Sequence, residues 1–129
     1  MLAIKMFASG VASADAVAQV TIPMAGKIIA ISFVLLTTKT ASSVSDVLYQ
    51  LSTQSTAQFS INDARNIVAE IGTASVGDNG LGTFSPGLPV NGFIPIPNLV
   101  VKQTDRIFLH RLSVANFTTA LLNLNVWIS

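Results

Sequence analysis

The chain has 129 residues, half of them hydrophobic and only 10% charged, with a formal net charge of +1 and a mean hydropathy of +0.62. Ordinary soluble domains carry about 25% charged residues, so the apolar excess calls for cover beyond the chain's own core, and permanent subunit interfaces are apolar in this way. The scattered basic residues argue against nucleic acid as a partner, the longest apolar run (28–36) is far short of the ~20 residues of a membrane-spanning helix, and the lack of cysteine excludes disulfides and thiolate chemistry.

Residues 1–14 are expected to form an N-terminal arm. Ala12-Ser13-Ala14 fits the small-residue pattern of a signal cleavage site, but Ser9 and Gly10 interrupt what would be its apolar stretch. Leu2, Ile4 and Phe7 are its candidate contact residues; residues 2–7 also read as an apolar edge segment. Residues 15–22 alternate, with Ala16, Ala18, Val20 and Ile22 on one side, and 23–26 turn the chain. Residues 26–37 (GKIIAISFVLLT) read as one long strand: Ile29, Ile31, Phe33 and Leu35 fall on one face, and Ile28, Ala30, Val34 and Leu36 on the other. Neither face is polar, so both need a cover.

A Ser/Thr loop (37–45) leads to a half-buried strand at 46–52, with Val47, Tyr49 and Leu51 at period two. Residues 61–65 suit a turn or a single helical turn, and 66–71 another strand, with Ile67, Ala69 and Ile71 facing one way. Residues 72–92 hold six of the eight glycines, Pro86 and Pro89, and read as a long functional loop, in which Phe84 and Leu88 are candidate contact residues. Residues 93–101 are extended, and Pro95 and Pro97, which cannot donate ladder hydrogen bonds, place them at a sheet edge. Thr104 and Asp105 turn into a strand at 106–114, and the last strand, 118–128, sets Leu122, Leu124, Val126 and Ile128 against Asn123, Asn125 and Trp127.

Seven to eight strands without a convincing helix predict an all-β fold: an antiparallel β-sandwich with a jelly-roll arrangement, residues 15–129 forming a single domain. Residues 20–36, VTIPMAGKIIAISFVLL, resemble the opening of many viral and phage jelly-roll modules, and residues 99–128 resemble their ending. The order of elements is also similar to trimeric jelly rolls of the tumour necrosis factor type, which have Gly where this chain has Thr104. The resemblance implies a trimeric decoration (cement) or fibre-head protein of a phage particle, working through surfaces rather than a catalytic motif.

Few residues invite chemistry. His110, the single histidine, shares a strand face with Phe108 and Leu112, and reads as a packed histidine satisfied by a neighbour. A Ser-His-Asp triad lacks the Gly-x-Ser-x-Gly elbow, and the six acids are too dispersed to suggest a glycosidase pair. Asp78-Asn79-Gly80 suits a turn better than a calcium loop, and GDNGLG (77–82) opens no helix that would cradle phosphate. One histidine and no cysteine make a zinc site improbable. No cofactor or metal is expected.

Arg106 and Arg111 read either as interface arginines paired with acids or as solvated strand residues, and Trp127 as a packing or interface aromatic. The reading is a non-enzymatic virion structural protein: a homotrimer on the capsid exterior that docks on a major capsid or other virion protein. The alternative is a carbohydrate- or receptor-binding head, with exposed aromatics at its loop tips. An enzyme would need a pocket holding His110 beside an acid and a serine.

Overall fold

The computed structural model describes residues 1–10, 14–39, 46–56, 66–72, 90–115 and 117–129. They contain eight strands: β1 (Leu2–Ser9), β2 (Ala14–Thr21), β3 (Gly26–Lys39), β4 (Asp46–Ser52), β5 (Ile67–Gly72), β6 (Val90–Val101), β7 (Arg106–Ala115) and β8 (Phe117–Ile128). Two four-stranded sheets result, ordered β1-β8-β3-β6 and β2-β7-β4-β5. We call them sheets A and B.

Strand β4 pairs with β5, β3 with β6, β2 with β7 and β1 with β8, all antiparallel. The chain is thus one long antiparallel ribbon folded at its middle. Pairing of β3 with β8 and of β4 with β7 rolls that ribbon into two sheets. This is a jelly roll, and the all-β sandwich expected from alternation is what forms.

The core lies between the sheets. Sheet A contributes Met6, Ile28, Ile31, Phe33, Leu35, Ile94 and the four alternating residues Leu122, Leu124, Val126 and Ile128; sheet B contributes Tyr49, Leu51, Ile71, Ile107 and Leu109. Leu2 and Ile4 pack against this core from β1. Residues 1–14 are therefore not simply an arm, because Leu2–Ser9 is a strand of sheet A.

Strand β3 departs from its expected two faces. Its register shifts between Ile28 and Ala30 against both neighbours. A bulge of this kind adds one residue to one strand and reverses the side-chain phase beyond it. Ile28 therefore joins Ile31, Phe33 and Leu35 in the core, while Ile29 is only half-buried. Strand β4, expected to be half-buried, is buried on both faces: Leu48, Tyr49, Gln50, Leu51 and Ser52 are all enclosed. Strand β6 starts at Val90, earlier than expected, and lies at an edge as its prolines require. Phe84, Leu88 and the turn expected at residues 61–65 fall outside the described residues.

Two local features carry strain or crowding. Phe33 packs its ring on the bare Cα of Gly92, its register partner on β6, so a Cβ there would collide with Cε1 and Cζ. The turn into β7 is closed by Asp105, whose backbone N–H donates to the Lys102 carbonyl (3.1 Å) while its Oδ2 accepts from the Lys102 N–H (2.8 Å). Ile22 clasps this turn through two further backbone bonds, and Thr104 sits there at φ 78°. That left-handed conformation is unfavourable for a β-branched residue.

Gly92→Ala should lower stability by about 1–3 kcal/mol through overpacking, measured by urea unfolding. Thr104→Gly should raise it by ~1 kcal/mol by relieving the positive φ, visible as a higher urea midpoint at unchanged slope.

Candidate interaction surface

The outer face of sheet A is built from residues that alternate away from the core. Register sets them in rows across the four strands. Ala3, Trp127, Ala30 and Pro95 form one row; Lys5, Asn125, Ser32 and Phe93 the next; Phe7, Asn123, Val34 and Asn91 the third; Ser9, Leu121 and Leu36 the last. Lys5 is the one charged residue in these rows. Phe7 (54%), Val34 (45%), Leu36 (42%) and Phe93 (66%) stand exposed among them. Isolated exposed apolar side chains are normal, but several on one sheet face that carries only Lys5 and Lys27 make it a candidate interaction surface.

The half-buried Trp127 anchors one end of this face. Its Nε1–H donates to Ser32 Oγ at 2.8 Å, leaving the ring to line an apolar cavity of about 250 Å³ with Met1, Ile29, Ala30 and Phe93. Exposed Phe7 and Phe93 lie on strands, not at loop tips, so among the described residues the aromatic cluster expected of a sugar-binding head does not form.

The two arginines separate. Arg106 is exposed at the start of β7. Arg111 is buried, matching neither the interface nor the solvated reading. Register places it beside Tyr49 on sheet B. Its Nη1 crosses to sheet A and donates to the Ser9 carbonyl at 3.1 Å, so this long side chain ties the end of β1 to the opposite sheet. Sequence periodicity could not show this, because the partner carbonyl is about a hundred residues away.

Sheet B carries a sealed polar row on its outer side. Gln50 pairs in register with Glu70 on β5 and with His110 on β7, and all three are fully buried. His110 Nδ1 accepts the Ala16 backbone N–H at 3.1 Å. A backbone N–H can only donate, so the proton of the neutral ring sits on Nε2. There it faces Ser52 Oγ at 2.7 Å and the Gln54 carbonyl at 3.1 Å. The Ser52 hydroxyl in turn donates to the Gln54 carbonyl (2.9 Å) and accepts the Gln54 N–H (3.2 Å). Phe108 stacks on the imidazole with ring centroids 6.5 Å apart.

A serine and a histidine do meet here, as an enzyme would require. The polarity is the reverse of a nucleophile–base pair, in which Nε2 must take the hydroxyl proton. None of the described cavities is lined by Ser52 or His110. The group works as a structural clasp joining β2, β4 and β7, with His110 satisfied by its neighbours. Among the described residues, no three His, Cys, Asp or Glu side chains gather as a metal site.

No protein-family model matches the chain, and no curated protein matches it in sequence. Solved structures share its strand arrangement at low similarity. An adhesin domain of Lys-gingipain from Porphyromonas gingivalis matches at 12% identity and a TM-score of 0.40, over 84% of this chain and 61% of that one. The chain thus spans about three-fifths of that domain's length. A chain of the cyanophage Pam1 capsid matches at 10% identity and a TM-score of 0.41, covering 96% of this chain and 81% of that one. A chain of the Israeli acute paralysis virus particle matches at 13% and 0.40, covering 99% and 71%.

Tyr49 yields a test of the buried interior. Among the described residues its hydroxyl meets no partner at full hydrogen-bond geometry, the Arg111 guanidinium being the nearest polar group that acts on it. Burial pushes the phenol above its ordinary value of 10.0, while the nearby Arg111 charge pulls the other way. The folded state therefore holds this proton more tightly than the unfolded chain, and stability must fall as pH rises past 10.0. Tyr49→Phe should leave neutral-pH stability unchanged or higher by up to ~1 kcal/mol, and should flatten the alkaline decline in urea titrations at a series of pH values.

Proposed function

We propose that this chain is a non-enzymatic structural protein of a virus particle, a homotrimeric decoration protein that stabilises a phage capsid from outside through apolar interfaces. One observation carries the reading: the outer face of sheet A sets only two lysines, Lys5 and Lys27, among exposed Phe7, Val34, Leu36, Phe93 and Val100. Such a face is stable in water once another protein covers it, and permanent interfaces have this composition. The low overall charge supports the same reading. The jelly-roll topology is compatible with it but does not select it, since one fold serves many functions. The resemblance of residues 20–36 and 99–128 to viral jelly-roll modules supplies the type of assembly. The partners on this reading are further copies of the chain and a major capsid protein.

Light scattering across a dilution series should give three times the 13.5 kDa chain mass. A Val34→Lys/Phe93→Lys double variant should fall to the single-chain mass while keeping a β circular-dichroism spectrum. A wild-type chain that stays monomeric and soluble at every concentration would remove the reading.

A further inference from the structure

Four strands lie at sheet edges: β1 and β6 in sheet A, β2 and β5 in sheet B. Exposed edges invite pairing with other chains, and proteins blunt them with prolines, bulges or brevity. Three edges here are blunted. Strand β6 carries Pro95 and Pro97. Strand β2 breaks register between Ala14 and Ala18, with Ala16 at φ 50° and its N–H committed to His110. Strand β5 has only six residues.

Strand β1 has no proline, bulge or shortness; its one protection is the charge of Lys5 at mid-strand. Its eight residues run in unbroken register along β8, from Leu2 opposite Ile128 to Ser9 opposite Leu121, without proline or bulge. Among the described residues, the Arg111 guanidinium reaches its last carbonyl from outside β8. Its outward side chains are Ala3, Lys5, Phe7 and Ser9, and its inward ones Leu2, Ile4, Met6 and Ala8.

We propose that β1 is a strand-pairing site whose occupant is β1 of a second copy, antiparallel about a two-fold axis at Met6. This rests on the reading of the chain as a self-assembling protein. The side chains determine the register. Opposed residues in an antiparallel pair point to the same face, so an outward residue must meet an outward residue if the core face and the outer face are each to continue across the junction. Four such registers keep appreciable overlap, and with the axis at Phe7 the pairing shortens to the last part of the strand. With the axis at Lys5, two like charges stand directly opposite, which is destabilising. With the axis at Ile4, the pairing shortens to the first part of the strand. With the axis at Met6, Lys5 meets Phe7, Ala3 meets Ser9, Ile4 meets Ala8 and Met6 meets its own twin, so each cation faces an aromatic ring and no two like charges stand opposite.

The identity of the occupant follows from the same pattern. A twin strand matches β1 in length and alternation, brings no second charge directly opposite Lys5, and extends the charge-poor outer face of sheet A. A two-fold contact cannot close a trimer, so this edge joins one trimer to the next.

The absence of cysteine makes a clean test possible. Lys5→Cys and Phe7→Cys chains, one carrying an affinity tag, are mixed and oxidised. Directly opposed Cβ atoms lie about 5 Å apart, within reach of a disulfide after slight adjustment. Like residues are offset by roughly 7 Å along the strands. The expected result is a mixed species heavier by one 13.5 kDa chain that dominates both homodimers and disappears on reduction.

Equal homodimers, no link, a dominant Ala3→Cys–Phe7→Cys link, or a link to another protein would each overturn the proposal. Light scattering separates it from the functional reading. A trimer without the mixed link overturns the edge contact alone. The mixed link in a protein that never exceeds a dimer overturns the trimer alone.

Discussion

The pairing of β3 with β8 is the constraint on which the rest of the molecule depends. It brings Ile28 against Ile128 at one end and Lys39 against Phe117 at the other. Along it, the core row of β3 meets Leu122, Leu124, Val126 and Ile128, all buried. Strands β1 and β6 then have only the two free flanks of this pair on which to form. The contact spans most of the chain, so its loop-closure entropy must be lost before its apolar burial is gained. Folds dominated by such pairings form slowly for that reason.

Scarcity of charge has a second consequence inside the molecule. The few ionisable groups are not simply spread over the surface. Glu70, His110 and Arg111 are buried, and each has hydrogen-bonding or electrostatic partners. Buried polar groups are tolerated only when satisfied. The His110–Ser52–Gln54 group and the Arg111–Ser9 bond meet that demand while linking strands that are remote in sequence.

Strands β7 and β8, the edge position of β6 and the all-β class were legible because alternation and proline chemistry are local. The assignment of residues in β3 to the core was legible only in part. Its apolar residues were evident, but the bulge after Ile28 changed which of them face inward. A bulge depends on how two neighbouring strands fit, and neither partner is adjacent in sequence. The double burial of β4 was hidden for a similar reason: Gln50 and Ser52 look solvent-facing until Glu70, His110 and Gln54 are brought beside them. Phe7 and Trp127 were legible as contact candidates, whereas Val34, Leu36 and Phe93 became so only when register placed them on one face.

By itself the sequence determined the strand content and the apolar excess, since these follow from period-two alternation and composition. Tertiary structure alone decided which apolar residues share the exposed face of sheet A, that Arg111 lies inside while Arg106 lies outside, that the lone histidine is the Nε2–H tautomer, and that β1 is an edge strand in unbroken register. Each of these depends on a contact between residues far apart along the chain, and local pattern carries no record of such contacts.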